Sequence, residues 1–349
     1  MLALTPPFPS PFFLSQSRKA PLTSIFDPPY PGLSKRDATM AGNVGRIIVD
    51  PDRASVDSTY GSDPQDLQSD TASIFSSIAR GRLENGRRYQ AMKEDDYWSP
   101  SDEQQFKAFE IGDVADRFPS AVVRGVDIFP PPVAWTAPNC IFEVDDVLRE
   151  WTWKTPFDLI HMRLMYGAFP DDGWDTVYKQ AYEALEPGGW IEQMEFDVRV
   201  RSDDGSLTEQ HELWGWGDMF IRCALRAGRS LNIQETMRGS IEQAGFVDVH
   251  EEKLKIPLGP WPKDKLLKEV GKLENAHWNA ALEGWAMWLL THFGEPVPWM
   301  KEEVQVYLAK IRAELRDSSI HAYNYTRRVW ARKPTEDERR MKARKVGVD

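Results

Sequence analysis

The chain has 349 residues, 41% hydrophobic and 28% charged, with a formal net charge of −11, which allows one large domain or two smaller ones around a real core. That acidic balance argues against general nucleic-acid binding, because nothing in it attracts phosphate. Two cysteines, Cys140 and Cys223, offer no disulfide framework or Cys-rich zinc site, and six histidines without HxxxH or HxH spacing give no metal site.

Residues 1–39 carry eight prolines and read as a tail. The Ser-, Asp- and Thr-rich stretch that follows extends this reading to residues 1–68, which are expected to contribute nothing to the core. Order is expected from about residue 69, where TASIFSSIARGRLENGRRYQAM has a helical look. FKAFEIGDVADRFPS then brings a difficulty. A nucleotide-binding α/β fold opens with a strand, a glycine-rich turn and a helix whose N-terminus faces the ligand. Here Gly112 stands alone, so the first strand and its turn are degraded or absent. The strands on either side of the gap are expected to pair directly or to recruit FKAFEI.

From Val122 the pattern is regular. Strands are predicted at Val122–Asp127, Cys140–Asp146 and Phe157–Met162, then a helix capped by Asp171 or Asp172 with Val177, Ala181, Ala184 and Leu185 on one face. Pro187-Gly188-Gly189 turns the chain into the strand WIEQMEF. Helices are expected at His211–Ala227 and Ile233–Ala244, a strand at VDVHEEKLKIPLG, a long helical region to about His292, and a further helix through Val304, Leu308, Ile311 and Leu315. HAYNYTRRVWARKP closes the series as a strand, and residues 335–349 read as a charged, solvated tail. No apolar run is long enough to span a bilayer.

The chemistry-bearing residues collect at strand ends, where α/β sheets bind ligands. Asp127 sits where such folds place a carboxylate that accepts both ribose hydroxyls, or else begins a turn before Pro130. Asp145 and Asp146 end the next strand, one suited to an adenine amino group and the other to an N-cap. A second acidic site tilts the ligand from a nicotinamide cofactor towards S-adenosylmethionine. His161, in FDLIHMR, suits substrate orientation or general-base work, or hydrogen bonding beside the core. Glu195 faces either the pocket or solvent. Trp261, with Trp278, Trp285 and Trp288, falls in the helical region at about 207–317 that would cover the pocket, where binding a flat acceptor and core packing both fit.

Taken together, RLENGRRYQ…YWSPSDEQQ, ADRFPSAVVRGVD, FEVDDV…EWTW, FDLIHMRLMYGAF, YKQAYEALEPGGWIEQMEFD, RSDDGSL, PLGPWPKD and HAY resemble the fungal LaeA-like methyltransferases from about Ser69 to Pro334. The resemblance implies a class I, Rossmann-like α/β fold: a mostly parallel seven-stranded sheet with helices on both faces. It implies S-adenosylmethionine as cofactor and a link to secondary metabolism, through a small-molecule acceptor or a regulatory protein complex, in the cytoplasm or nucleus. By position, Asp127 resembles the ribose acid and Asp145–Asp146 the adenine-side acids, with Gly112 left from the glycine turn. His161 falls at the catalytic end of the fourth strand, and Tyr166 and Trp261 on the acceptor side. Against this family about 40 residues of strand, turn and helix are missing after Gln105. A catalytically inactive relative acting through protein contacts, or a normal enzyme whose gene reading lost an exon, fits that gap as well.

Overall fold

A computed structural model describes residues 45–49, 118–128 and 137–346, with the short strands at 12–17, 82–84 and 87–89. The strands are β1 (Phe12–Ser17), β2 (Arg82–Glu84), β3 (Arg87–Tyr89), β4 (Ala121–Asp127), β5 (Cys140–Val144), β6 (Phe157–Arg163), β7 (Leu185–Arg201), β8 (Val247–Pro257) and β9 (Tyr323–Arg332). The helices are α1 (Asp171–Ala184), α2 (Glu212–Arg226), α3 (Ile233–Gln243), α4 (Lys265–Phe293), α5 (Lys301–Arg316) and α6 (Glu336–Val346).

Seven strands form one sheet in the order β5-β4-β1-β6-β7-β9-β8. β4 and β5 are parallel, as are β6 and β7, whereas β9 is antiparallel to β7 and β8. With β1 antiparallel to both its neighbours, five of the seven strands point one way. This is the Rossmann-like α/β sheet expected from the sequence. β6 reads FDLIHM because it is buried on both sides, the pattern of an internal parallel strand. Ile160 and Met162 meet Val177, Tyr178 and Ala181 of α1 and Met237 and Ile241 of α3 in one core. Leu159 joins Ala121, Val123 and Ala137 in a smaller core.

A second large core lies in the covering lobe, where Trp216, Phe220, Trp278, Leu282, Trp288, Leu308 and Ile311 interlock among α2, α4 and α5. Trp278 and Trp288 are thus core residues of the lobe. The lobe is joined to the sheet by the C-terminal extension of β7. A Cβ on Gly217 of α2 would sit 2.4 Å from the Arg199 Cα, so only glycine permits that approach.

Several expectations need correction. The central slot between β4 and β6 is filled from the N-terminal stretch, not by FKAFEI and not by direct pairing. Phe13 pairs with Gly125 on one side and with His161 on the other. Farther along, Val49 bridges to Pro262, and Lys263 N–H donates to the Ile48 carbonyl at 2.6 Å. Residues 1–68 therefore contribute backbone to the folded unit at two places. A vacant central slot would leave two rows of buried N–H and C=O groups unpaired, which is costly enough to recruit any extended segment within reach.

Within the stretch read as helical, Arg82–Glu84 and Arg87–Tyr89 pair as antiparallel strands; Asn85-Gly86 between them is a favoured hairpin dipeptide. The remainder of that stretch, with FKAFEI and Gly112, lies outside the described residues. VLREW after Asp146 makes a turn in place of a helix. Pro170 occupies the N-cap of α1, so Asp171 and Asp172 stand in its first turn, where they favour the helix dipole without capping it. α1 ends at Ala184, before Pro187-Gly188-Gly189, and β7 already begins at Leu185. A Cβ on Gly189 would come 3.0–3.2 Å from the carbonyl oxygens of Glu186, Phe157 and Asp158. The charged C-terminal stretch forms α6 through Val346.

Candidate functional site

The carboxyl ends of β4, β5 and β6 share one edge of the sheet. Asp127 and Val144 are register partners, and Asp145 N–H donates to the Asp127 carbonyl at 3.0 Å, so Asp127 and Asp145 are neighbours there. Asp145 is exposed, whereas Asp146 is 7% exposed. Asp146 accepts from Leu148 N–H at 3.1 Å and so stabilises the following turn. The division of labour expected for the pair therefore leaves Asp145 facing outward. Behind it, Glu143 is held by Arg124 of β4 and by the Trp153 indole N–H at 2.7 Å, which fixes the end of β5.

His161 is placed differently from a base open to substrate. It lies within β6, 7% exposed, with Nδ1 3.2 Å from Glu192 Oε1 on β7. Arg328 of β9 grips the other oxygen of Glu192 at 2.7 Å. Burial alone would raise the Glu192 pKa, but His161 and Arg328 outweigh it and bring it down to about 2. This triad is a polar spine across three strands.

On the other face of β7 the arrangement is opposite in sign. Glu195 is completely buried. It accepts from the backbone N–H groups of Met165 and Tyr166 at 3.2 Å each and from Gln193 Nε2 at 3.0 Å. Gln193 Oε1 in turn accepts from the Tyr178 hydroxyl at 2.6 Å. Burial dominates, so the Glu195 pKa is raised to about 7 despite these hydrogen bonds and the nearby Arg163 charge. Glu195 points inward, which the alternation after GGW left open. Its partners in the β6–α1 loop carried no sequence signal, because they are main-chain groups.

Tyr166 stands in that loop, partly buried and packed against both the sheet core and the lobe core. Trp261 is at the start of the lobe, where its indole N–H donates to the Ala322 carbonyl at 3.0 Å and its ring lies 5.4 Å from that of His321. His321 pairs with Asp204, Tyr323 donates to Asp203 at 2.8 Å, and Lys255 binds Asp203 at 2.6 Å. RSDDGSL, PLGPWPKD and HAY, distant in sequence, thus meet in one cluster that ties the lobe to the end of the sheet. Among the described residues no group of three His, Cys, Asp or Glu could hold a metal ion.

The methyltransferase-domain family matches residues 108–251. The methyltransferase pytC of Aspergillus terreus is 30% identical over 321 residues, covering 81% of this chain and 95% of its own. The secondary metabolism regulator laeA of Monascus pilosus is 33% identical over 226 residues, 64% of this chain and 60% of its own. Among solved structures, the phosphoethanolamine N-methyltransferase 2 of Haemonchus contortus with S-adenosyl-L-methionine is 16% identical, with a TM-score of 0.34 over 61% of this chain and 43% of that one.

Proposed function

We propose a function from one premise: the chain belongs to the fungal LaeA-like family of class I methyltransferases, whose cofactor is S-adenosylmethionine. The relatives named as regulators of secondary metabolism support placing this protein in the same branch of fungal biology, working in the cytoplasm or nucleus on a small-molecule acceptor. No helix among the described residues is long and apolar enough to cross a membrane.

The observation that carries the reading is the adjacency of Asp127 and Asp145 at the carboxyl ends of two parallel strands. Two carboxylates so placed suit the ribose hydroxyls and the adenine amino group of the cofactor. The methionine half is another matter. It needs a strand that ends at this edge and a tight turn leading to a helix N-terminus. β1 runs antiparallel, so at this edge it begins where such a strand would end. The described residues fit the adenosine moiety and do not fit the amino-acid moiety.

This half-site makes a sharp test. In calorimetric titration of the full chain, adenosine and S-adenosylmethionine are expected to bind within a few-fold of each other, both weakly. Charged hydrogen bonds at about 1–3 kcal/mol each would otherwise favour the intact cofactor by orders of magnitude. Micromolar binding of S-adenosylmethionine with adenosine silent would overturn the half-site. A second reading, a non-catalytic relative acting through protein contacts, is favoured by the reversed strand alone. It predicts that neither compound binds.

A further inference from the structure

The β6–α1 loop, residues 164–170, leaves the ligand-facing edge of the sheet, and Tyr166 within it packs against the covering lobe. It is bent by two left-handed residues, Leu164 at φ 53° and Gly167 at φ 74°. A leucine in that region is held against its preference, so the loop needs external restraint. One restraint is main-chain: Leu164 N–H donates to the Met194 carbonyl and Gly167 N–H to the Ser230 carbonyl, each at 3.1 Å. The other is Glu195, whose two carboxylate oxygens take the successive N–H groups of Met165 and Tyr166. With Gln193 Nε2 added, three donors converge on this carboxyl, and its ionised form, an acceptor at both oxygens, suits them all.

We propose that Glu195 is a positioning residue: its carboxylate fixes the β6–α1 loop and so sets Tyr166 at the junction between cofactor edge and acceptor lobe. The proposal rests on the reading above that this edge is the binding edge. Tyr166 packs against both cores, so a shift of its backbone would change the contact between them. The carboxylate is a switchable clamp. Buried among Gln193, Tyr178 and main chain, it gains a proton near neutrality and then one oxygen becomes a hydroxyl, a poor acceptor for the loop N–H it faces. The charged and titratable groups around it are Arg163 from β6, Tyr178 from α1 and Arg327 from β9, the last paired with Glu251. Arg229, before α3, donates to the Ala168 carbonyl at 3.4 Å, and His161, Glu192 and Arg328 form the spine through the same strands.

The test uses the full chain labelled with 15N-tyrosine, with the Tyr166 amide resonance assigned by its loss in Tyr166→Phe. In the parent protein this resonance is expected to titrate between pH 6 and 8. Glu195→Gln, which keeps volume and burial but cannot ionise, should abolish that titration while resonances remote from the loop stay in place. Hydrogen exchange should show the Met165 and Tyr166 amides at least about tenfold less protected in the variant, with Ile191 of β7 unchanged. A parent resonance flat across that range, or equal protection in both proteins, overturns the proposal. If the variant fails to fold, the parent titration alone decides. Adding adenosine separates the two claims: a clamp effect that persists while adenosine changes neither spectrum leaves Glu195 in place and removes the binding-edge reading.

Discussion

The two halves of the sheet are built on different principles. The half containing β6, β7, β9 and β8 comes from one continuous stretch, and polar side chains that reach across it brace it. Arg328 and His161 meet at Glu192, and Arg332 joins Asp248 to Glu338. The half containing β5, β4 and β1 has short strands, and its inner member, β1 beside β6, comes from the start of the chain, more than a hundred residues away from its neighbours. One half is specified by side chains. In the other, Arg124 and Glu143 link β4 to β5, and β1 is held by the need of β4 and β6 for backbone partners, a need that an antiparallel strand also meets.

Breaking the borrowed strand gives the largest expected effect. Leu14 pairs with Arg124 and with Ile160, so Leu14→Pro removes ladder hydrogen bonds from a strand with neighbours on both sides. Proline in such a place costs about 3 kcal/mol or more, roughly 10 °C in Tm for a domain of this size. Deleting residues 1–17 should cost more, and calorimetry on both variants checks it. An unchanged Tm would mean that the central slot holds no strand from the N-terminus.

Next comes the braced half. Arg328→Met leaves Glu192 buried with His161 as its remaining side-chain partner, and breaking a buried pair in this way costs about 3–5 kcal/mol. Glu192 has its pKa lowered, so its stabilising contribution is present above the unfolded value near 4.5 and is lost as pH falls from there towards about 2. Urea unfolding of the variant should therefore show a shallower loss of stability below pH 4.5 than the parent.

Glu195 sharpens the contrast from within β7. Its folded pKa is raised, so stability from its neutral form is full below about 4.5 and is lost as pH rises through about 7. The difference amounts to roughly 3 kcal/mol. Between pH 5 and pH 8, Glu195→Gln should gain stability relative to the parent by a figure of that order in urea melts. A constant offset between the two proteins would show that Glu195 stays ionised throughout.

What the sequence made legible follows the same divide. β4 to β6, β8, β9 and α1 to α5 were read within a few residues, and β7 at its centre, WIEQMEF, because each carries its own period of apolar residues, from Ile160 and Met162 in β6 to Leu308 and Ile311 in α5. Asp127 and Asp145 were legible as strand-end acids. β1 was not, because proline-rich flanks hid FFLSQS and its assignment depends on a vacancy elsewhere. His161 was legible only as an open choice between work on a substrate and hydrogen bonding beside the core, for a similar reason: its partner Glu192 is thirty-one residues away, and Arg328 lies on a strand that returns from the far side of the lobe. Glu195 was left open between pocket and solvent because two of its partners are peptide N–H groups, which any sequence would supply.

The smallest expected effect concerns the far end of the braced half, where the sequence carries a local helix-start signal. Thr335 and Glu338 have the spacing of a capping box. In the structure Thr335 Oγ1 accepts from Glu338 N–H at 3.3 Å, and Glu338 Oε2 accepts from Thr335 N–H at 2.7 Å. Glu338 also takes Arg332 of β9 at 2.9 Å, so the first turn of α6 is tied to the last residue of the sheet. Thr335→Ala removes one side of the box and should cost about 1 kcal/mol, confined to α6, whose residues are mostly exposed. Hydrogen exchange should therefore speed up in residues 336–342 with no change in β9 and little change in Tm. Loss of protection reaching back into Arg328 or Val329 would mean that α6 helps to brace the sheet. The side-chain network centred on Glu192 would then extend through Arg332 to the end of the chain.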